Sequence, residues 1–488
     1  MTDMTDLATI PADLLAEAYR ARRLSPVEVT EAVLAALVAV EPSINAFVHV
    51  DRDGALAQAR AAEARFTKGA PLGLLDGVPV SIKDMLLTKG MPTRKGSRTT
   101  DPDAPQDTDA PSVARLRAQG AVLYGKSTTT EFGGSPYSRS PLTGDTRSPW
   151  HLGYGCSGSS MGAAAHLAAG VGTLAVGNDA AGSIRMPASF GGCFGLKPSF
   201  GVVANWPPSA AGILGHTGPM SWGVSEGAML LAAMAGPDPR DPYSLPRLEA
   251  MLAAEPEDGV AGLRIAYSPG LGIRSPDDQV RQACDAAAAT FAALGATVEE
   301  ADPDLSGLFL AYDCLRICNR AATYRANGAS QARDEMDELV ARVLDQAEAY
   351  DTDAYIAALG TREALAARMR AFHETYDLMI CPTMAVPPLP IGAGPGPKDA
   401  HWYQIDGDIW SPYTFVFNMT HQPAASIPCG LTRPDPASGL PGGLPLGLQI
   451  VAAPFRDDLV LRAARAFEAS REWKRPSFPF RSDAMAAE

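Results

Sequence analysis

The run Gly177-Asn178-Asp179-Ala180-Ala181-Gly182-Ser183-Ile184-Arg185-Met186-Pro187 sets one serine hydroxyl at the end of a string of small residues, an arrangement suited to acyl transfer. Ala169 to Val176 ahead of it is apolar and β-prone, so the chain is expected to leave a buried strand and turn sharply through Ala180, Ala181 and Gly182 before Ser183. Successive backbone N–H groups of such a turn can converge on one point. There they would stabilise the oxyanion of a tetrahedral intermediate without any side-chain reorganisation. A serine is a weak nucleophile until a base takes its proton. None of the seven histidines stands in a recognisable strand-end context, and His151, His166 and His216, the nearest in sequence, read as surface or hydrogen-bonded core residues. A different base is therefore sought. Two segments offer one: Gly158-Ser159-Ser160-Met161-Gly162, and Gly77-Val78-Pro79-Val80-Ser81-Ile82-Lys83-Asp84, in which Lys83 closes an apolar strand-like run.

Together these three segments resemble the amidase signature family, with most likeness to its aryl acylamidase and indoleacetamide hydrolase branch. The resemblance continues through Gly120–Ser127, Glu131-Phe132-Gly133, Ser140–Gly144, Thr146–Trp150, Gly195–Gly201, His216–Met220, Phe417–Thr420, Gln422–Pro428 and Pro445–Val451, so it spans nearly the whole chain in matching order. It implies a triad of Lys83, Ser159 held by a cis peptide, and Ser183. It also implies an oxyanion hole from the backbone N–H groups of Ala180, Ala181, Gly182 and Ser183, with Ser160, Asp179 and Arg185 as supporting residues and no cofactor or metal. The implied fold is α/β: a single large domain over residues 1–488 with a twisted mixed sheet covered by helices on both faces.

The chain departs from the family pattern in both serine loops. Cys156 and Met161 stand where a proline and a glycine are usual, and Ala180-Ala181-Gly182-Ser183 replaces a Thr-Gly-Gly-Ser run. If the position of Ala181 needs a positive φ, the alanine is strained. Lys83 can act as a base only when neutral, which requires burial and a neighbouring positive potential. A lysine ending an apolar strand is placed for that. Ser159 would then relay the proton of Ser183, whose Oγ attacks the carbonyl to form an acyl-enzyme that water hydrolyses.

Taken singly, these residues have ordinary readings. A Lys83-Asp84 pair is commonly a solvated surface pair, and a Ser-Ser doublet in a glycine-rich loop is commonly a linker. Asp179 and Arg185 read as a hydrogen-bonded brace for the loop rather than as reacting groups. Two further motifs mislead. Gly120–Ser127 fits G-x-x-x-x-G-K-S, yet its variable residues Ala, Val, Leu and Tyr describe an apolar strand instead of an open phosphate cradle. Gly158–Gly162 fits G-x-S-x-G, but no hydrophobic strand leads into it.

The elements that must position the site alternate strand and helix, as an α/β fold requires. Ser25-Pro26-Val27-Glu28 is a capping-box start followed by the stripe Val29, Val33, Leu37, Val40 within a helical N-terminal segment over 1–66. Leu263–Tyr267 reads as a strand, and Ser275-Pro276 opens a helix that Gly295 can end. From about Leu305 to Tyr376 the sequence is helix-rich and matches the family least, the kind of segment that forms a substrate funnel. Beyond the Pro/Gly stretch 387–397 come Trp402, Tyr403, Trp410, Tyr413 and Phe415, which with Met161 suggest a pocket for an aryl or apolar group.

At 488 residues with 46% hydrophobic content and no linker-like segment, one large core is expected. The net charge of −14 argues against a nucleic-acid surface. Seven cysteines without C-x-x-C or metal spacing read as reduced thiols of a cytoplasmic enzyme, Cys314 and Cys318 sharing a helix face. Neither a signal peptide nor a membrane helix is expected. The function expected from the resemblance is hydrolysis of a small aryl or apolar amide by a monomer or homodimer, without nucleic-acid or membrane partners. Alternatives are a carbamate (urethane) or a cyclic or oligomeric amide as substrate, the glutamine-hydrolysing subunit of a tRNA amidotransferase, and a degenerate binding-only homologue.

Overall fold

A computed structural model describes residues 7–246, 259–326, 332–394, 404–405 and 408–476. Its frame is one mixed sheet of eleven strands: β1 (Phe47–Val50), β2 (Pro79–Lys83), β3 (Val122–Ser127), β4 (Leu174–Asp179), β5 (Phe194–Lys197), β6 (His216–Ser221), β7 (Arg264–Tyr267), β8 (Thr297–Glu300), β9 (Leu378–Pro382), β10 (Ala424–Leu431) and β11 (Pro445–Ala452). Across the sheet they run β1-β3-β2-β4-β6-β5-β10-β11-β9-β7-β8. The neighbours β2/β3, β2/β4, β7/β9 and β7/β8 are parallel and the other pairs antiparallel. Strands β2, β3, β9 and β11 are buried at every residue, as strands covered on both faces are. At one edge, β8 is Thr-Val-Glu-Glu and mostly exposed, so its charges discourage pairing with another chain.

Helices cover both faces. The capping box at Ser25 opens α1 (Pro26–Ile44), with Val27 N–H on Ser25 Oγ at 2.9 Å and Ser25 N–H on Glu28 Oε2 at 2.9 Å. Its stripe of Val29, Val33, Leu37 and Val40 is buried. The helices α2 (Met161–Ala168) and α3 (Arg185–Gly191) follow the two serine loops. Next come α4 (Asp278–Ala293), α5 (Leu308–Ala326), α6 (Glu338–Gln346), α7 (Thr352–Thr375) and α8 (Asp457–Ala469). Phe291 of α4 stacks on Phe467 of α8 at 5.3 Å, within a core that takes Val80, Ile82, Val176 and Ile450 from the sheet. On the other face, residues of α5 and α7 pack with Met379, Cys381 and Val451, and residues of α2 with Val122 and Ala175.

Several expectations shift in detail. The run from Ala169 extends only from Leu174, because Gly170 and Gly172 adopt φ of 78° and 71° and turn the chain first. The helix expected from Ser275 starts at Asp278, capped by Asp277, and ends at Ala293. Val122–Ser127 is the buried strand β3, whose Lys126 Nζ donates to Leu86 O, Thr88 Oγ1 and Thr93 Oγ1. Cys314 and Cys318 both lie on α5, one turn apart, and all seven cysteines are free. Among the described residues no helix is long and apolar enough to cross a membrane.

The approach of α2 to the sheet is tight. A Cβ on Gly162 would lie 2.2 Å from Ala46 O and 2.5 Å from Thr128 N, both backbone atoms, whereas one on Gly360 inside α7 would meet nothing within 4 Å. Gly162→Ala is expected to destabilise the protein by about 1–3 kcal/mol or more. Gly360→Ala should instead stabilise it by about 0.5–1 kcal/mol. Urea-unfolding midpoints moving in opposite directions would bear this out; equal midpoints would contradict it.

Candidate active site

Lys83 ends β2 with no exposure to solvent. Because β2 runs parallel to β4, its amine lies beside the end of β4, with Nζ 3.3 Å from Asn178 O, and it meets the loop ahead of α2 at 2.7 Å from Ser159 Oγ. Burial pushes this amine well below the ordinary lysine value, the charge of Asp179 opposes that shift, and the Arg320 guanidinium adds to it. The Gly158–Ser159 peptide bond is cis. Ser160 N–H donates to Ser183 O at 3.1 Å and so ties the two serine loops together, while Ser160 Oγ is buried and has no partner among the described residues.

Ser183 sits between β4 and α3, and its position is set by a buried ion pair. Asp179 ends β4 and accepts Gly182 N–H on Oδ1 at 2.7 Å and Ile184 N–H on Oδ2 at 3.1 Å. Arg185 reaches back with Nε and Nη2 to the same two oxygens, each at 3.0 Å. Its remaining donors go to Thr414 O, Gln449 Oε1 and Asn418 Oδ1, each at 2.7 Å. Asn418 Nδ2 completes the cage on Asp179 Oδ1 at 2.9 Å. Burial alone would raise the Asp179 carboxyl, but the charge and hydrogen bonds of Arg185 hold it well below the usual carboxylate range.

The alanines of the loop fit without strain. Ala180 and Ala181 are absent from the residues with positive φ, and Gly182 takes that role at φ 119°. There a Cβ would lie 2.3 Å from Thr414 Oγ1. Of the four N–H groups expected to form an oxyanion hole, that of Gly182 is engaged by Asp179. Those of Ala180, Ala181 and Ser183 carry no hydrogen bond to any described residue, which leaves three donors on the loop.

Ser183 is 7% exposed and opens on a cleft of about 260 Å³, shared with Gly133, Gly134, Ala181, Met186, Tyr312, Arg316 and Arg320. Of the aromatic residues expected to form a pocket, none described lines this cleft. Trp410 is buried, stacks on Tyr137 at 5.6 Å and borders a neighbouring cavity with Leu389 and Ile391. Phe415 lies behind Tyr312, stacked at 4.2 Å. Met161 is buried at the start of α2, and Trp402 and Tyr403 lie outside the described residues. The histidines stand apart: His151 is exposed, His166 bridges Ser81 Oγ and Val171 O with its pKa pushed down by burial to about 4, and His216 Nδ1 meets Leu214 O.

Sequence reasoning missed Tyr312, Arg316 and Arg320, although their i, i+4, i+8 spacing on a helical segment was a usable signal. It also missed that Thr414, Asn418 and Gln449 complete the Arg185 cage. Asn418 and Gln449 fall inside recognised motifs but were given no role.

The chain is 34% identical to the acylamidase of Rhodococcus erythropolis, over 97% of this chain and 98% of that one. It is also 34% identical to a glutamyl-tRNA(Gln) amidotransferase subunit of Geotalea daltonii, over 94% and 96% of the two chains. Its structure is similar to a bacterial aryl acylamidase, with a TM-score of 0.86 and 27% identity over 95% of this chain and 97% of the other. It is similar too to a 6-aminohexanoate cyclic dimer hydrolase, with a TM-score of 0.86 and 28% identity over 98% and 100%. Fold and relatives together define a hydrolase of carbon–nitrogen amide bonds. The chain belongs to the Amidase family, whose model matches residues 28–461.

Two expected outcomes follow from this geometry. Arg185→Met leaves Asp179 charged and buried without its counter-ion and should cost about 3–5 kcal/mol of stability, read from the denaturant midpoint. A loss below about 1 kcal/mol would contradict the brace. Arg320→Gln removes a cation that favours the neutral amine of Lys83. Since the neutral fraction grows with pH and Lys83 is shifted downward, kcat/KM should fall on an acid limb below the ordinary lysine pKa, and the variant should move that limb to higher pH.

Proposed function

We propose that Ser183 is the nucleophile of an amide hydrolase whose base is Lys83, acting through Ser159. The observation that carries this reading is the 2.7 Å approach of a wholly buried lysine amine to Ser159 Oγ, beside a loop that leaves three backbone N–H groups unengaged. Neutral Lys83 takes the Ser159 proton, Ser159 takes that of Ser183, and Ser183 Oγ bonds to the carbonyl carbon. The carbonyl oxygen, now an oxyanion, is met by the N–H groups of Ala180, Ala181 and Ser183. The C–N bond then breaks, and the proton returns along the same path to the leaving amine. Water attacks the acyl-enzyme by the reverse relay and releases the acid.

The substrate we propose is a small amide with an aryl or apolar portion. The acylamidase and aryl acylamidase relatives support this, as does the Tyr312 ring, backed by Phe415, on the cleft wall. A carbamate carbonyl suits the same relay. The 34% identity with an amidotransferase component favours glutamine hydrolysis as a second reading. Amine release from aryl amides, primary amides, glutamine and aryl carbamates, compared between the native enzyme and Ser183→Ala, tests all of these. Aryl amides are expected to be turned over, with a fall of about 10⁴-fold or more in the variant. Undiminished turnover by Ser183→Ala would remove the nucleophile, and glutamine as the preferred substrate would select the second reading.

A further inference from the structure

Among the described residues that line the cleft at Ser183 there are two arginines and no acid, although the chain as a whole carries a net charge of −14. Both guanidinium groups of the cleft come from one side of α5, where Arg316 and Arg320 stand one turn apart. Arg320 is held by the protein through its two Nη groups, which donate to Phe132 O at 3.4 Å, Gly133 O at 3.0 Å and Tyr324 Oη at 2.9 Å, while its Nε is buried without a partner. Arg316 is not held in this way. It is only 5% exposed, its Nε is buried without a partner, and it makes no hydrogen bond or ion pair with any described residue.

Buried charges in folded proteins are ordinarily paired, and of the Arg316 guanidinium only Nε is fully buried, so its two Nη groups, without a described partner, face the cleft. Arg185, a few residues from the same cleft, shows what pairing looks like here, with every donor placed on an acceptor. No described residue supplies Arg316 with a counter-ion, which leaves that place to an anion bound in the cleft. A planar fork of N–H donors is matched by a carboxylate, which it can hold with two parallel hydrogen bonds. Because Arg316 shares a cleft of about 260 Å³ with Ser183, the carboxylate and the reacting carbonyl belong to one small molecule.

We propose that Arg316 is a specificity residue and that the favoured substrates are amides bearing a free carboxylate, such as half-amides of dicarboxylic acids. This rests on the reading of Ser183 as nucleophile. It narrows the substrate class to one with an apolar portion against Tyr312 and an acid against Arg316.

The test uses 4-nitroanilide half-amides of succinic and adipic acid beside their methyl esters, which keep the shape and lose the charge. The native enzyme should prefer the acid of at least one pair by about 10-fold or more in kcat/KM. In Arg316→Gln the acid-to-ester ratio should fall by about 10–100-fold, and Arg316→Lys should restore part of it. The ratio is insensitive to a partly unfolded sample, since lost active enzyme lowers both substrates alike. A ratio unchanged by Arg316→Gln, or an ester preferred at both chain lengths, would overturn the proposal. If neither substrate is turned over, calorimetric titration of both acids into Ser183→Ala and Ser183→Ala/Arg316→Gln decides it: binding lost with Arg316 supports it, and equal or absent binding refutes it. Turnover that survives Ser183→Ala would sink the nucleophile assignment instead, a separate failure.

Discussion

The ion pair of Asp179 with Arg185 is sealed from water, and the rest of the site depends on how completely it is satisfied. Two buried charges repay their desolvation only when geometry and hydrogen bonding leave nothing unpaired. Here all five guanidinium donor directions are used, and both carboxylate oxygens accept more than one donor. The acceptors lie on β4, β11 and the segment around Asn418, so satisfying one arginine fixes three remote pieces of chain against one another. The loop between Asp179 and Arg185 has little freedom left. Ser183 stands where it does because both ends of its loop are clamped to a single carboxylate.

The same dry interior sets two buried lysines apart. Lys126 on β3 is as buried as Lys83 on β2, and burial lowers its pKa to about 8, but three oxygens surround its amine and the charges of Asp84 and Asp109 favour the protonated form. Lys83 faces one hydroxyl, one carbonyl oxygen at longer range and the positive charge of Arg320, with Asp179 already committed to Arg185. Two lysines on adjacent strands thus serve different ends. One holds loops together, and the other exchanges a proton in the reaction proposed above.

How much of this was legible depended on distance along the chain. Ser183 stood out because its loop is written in consecutive small residues, and Lys83 because it closes an apolar strand. The architecture followed from the alternation of strand and helix and from family resemblance. The brace was visible only as a local pair, since the partners of Arg185 lie 229, 233 and 264 residues away and no periodicity announces them. The aromatic cluster misled for a related reason. A Pro/Gly-rich approach suggests exposed loop, yet Trp410 and Phe415 return to the core and stack there on Tyr137 and Tyr312. Ala181 looked liable to strain until the backbone put the unusual φ on its neighbour Gly182.

The order of strands carries one more consequence, for the chain as it is made. Strands β10 and β11, near the C-terminal end, are inserted in the middle of the sheet, between β5 and β9. A nascent chain that has emerged through Arg185 already contains Lys83, Ser159 and Ser183, but Thr414, Asn418 and Gln449 are still to be translated. Until they arrive, Arg185 lacks the acceptors for three of its five donors, and the loop is held by its local bonds to Asp179. The order of synthesis therefore leaves the Ser183 loop without its full brace until Gln449 has been added to the chain.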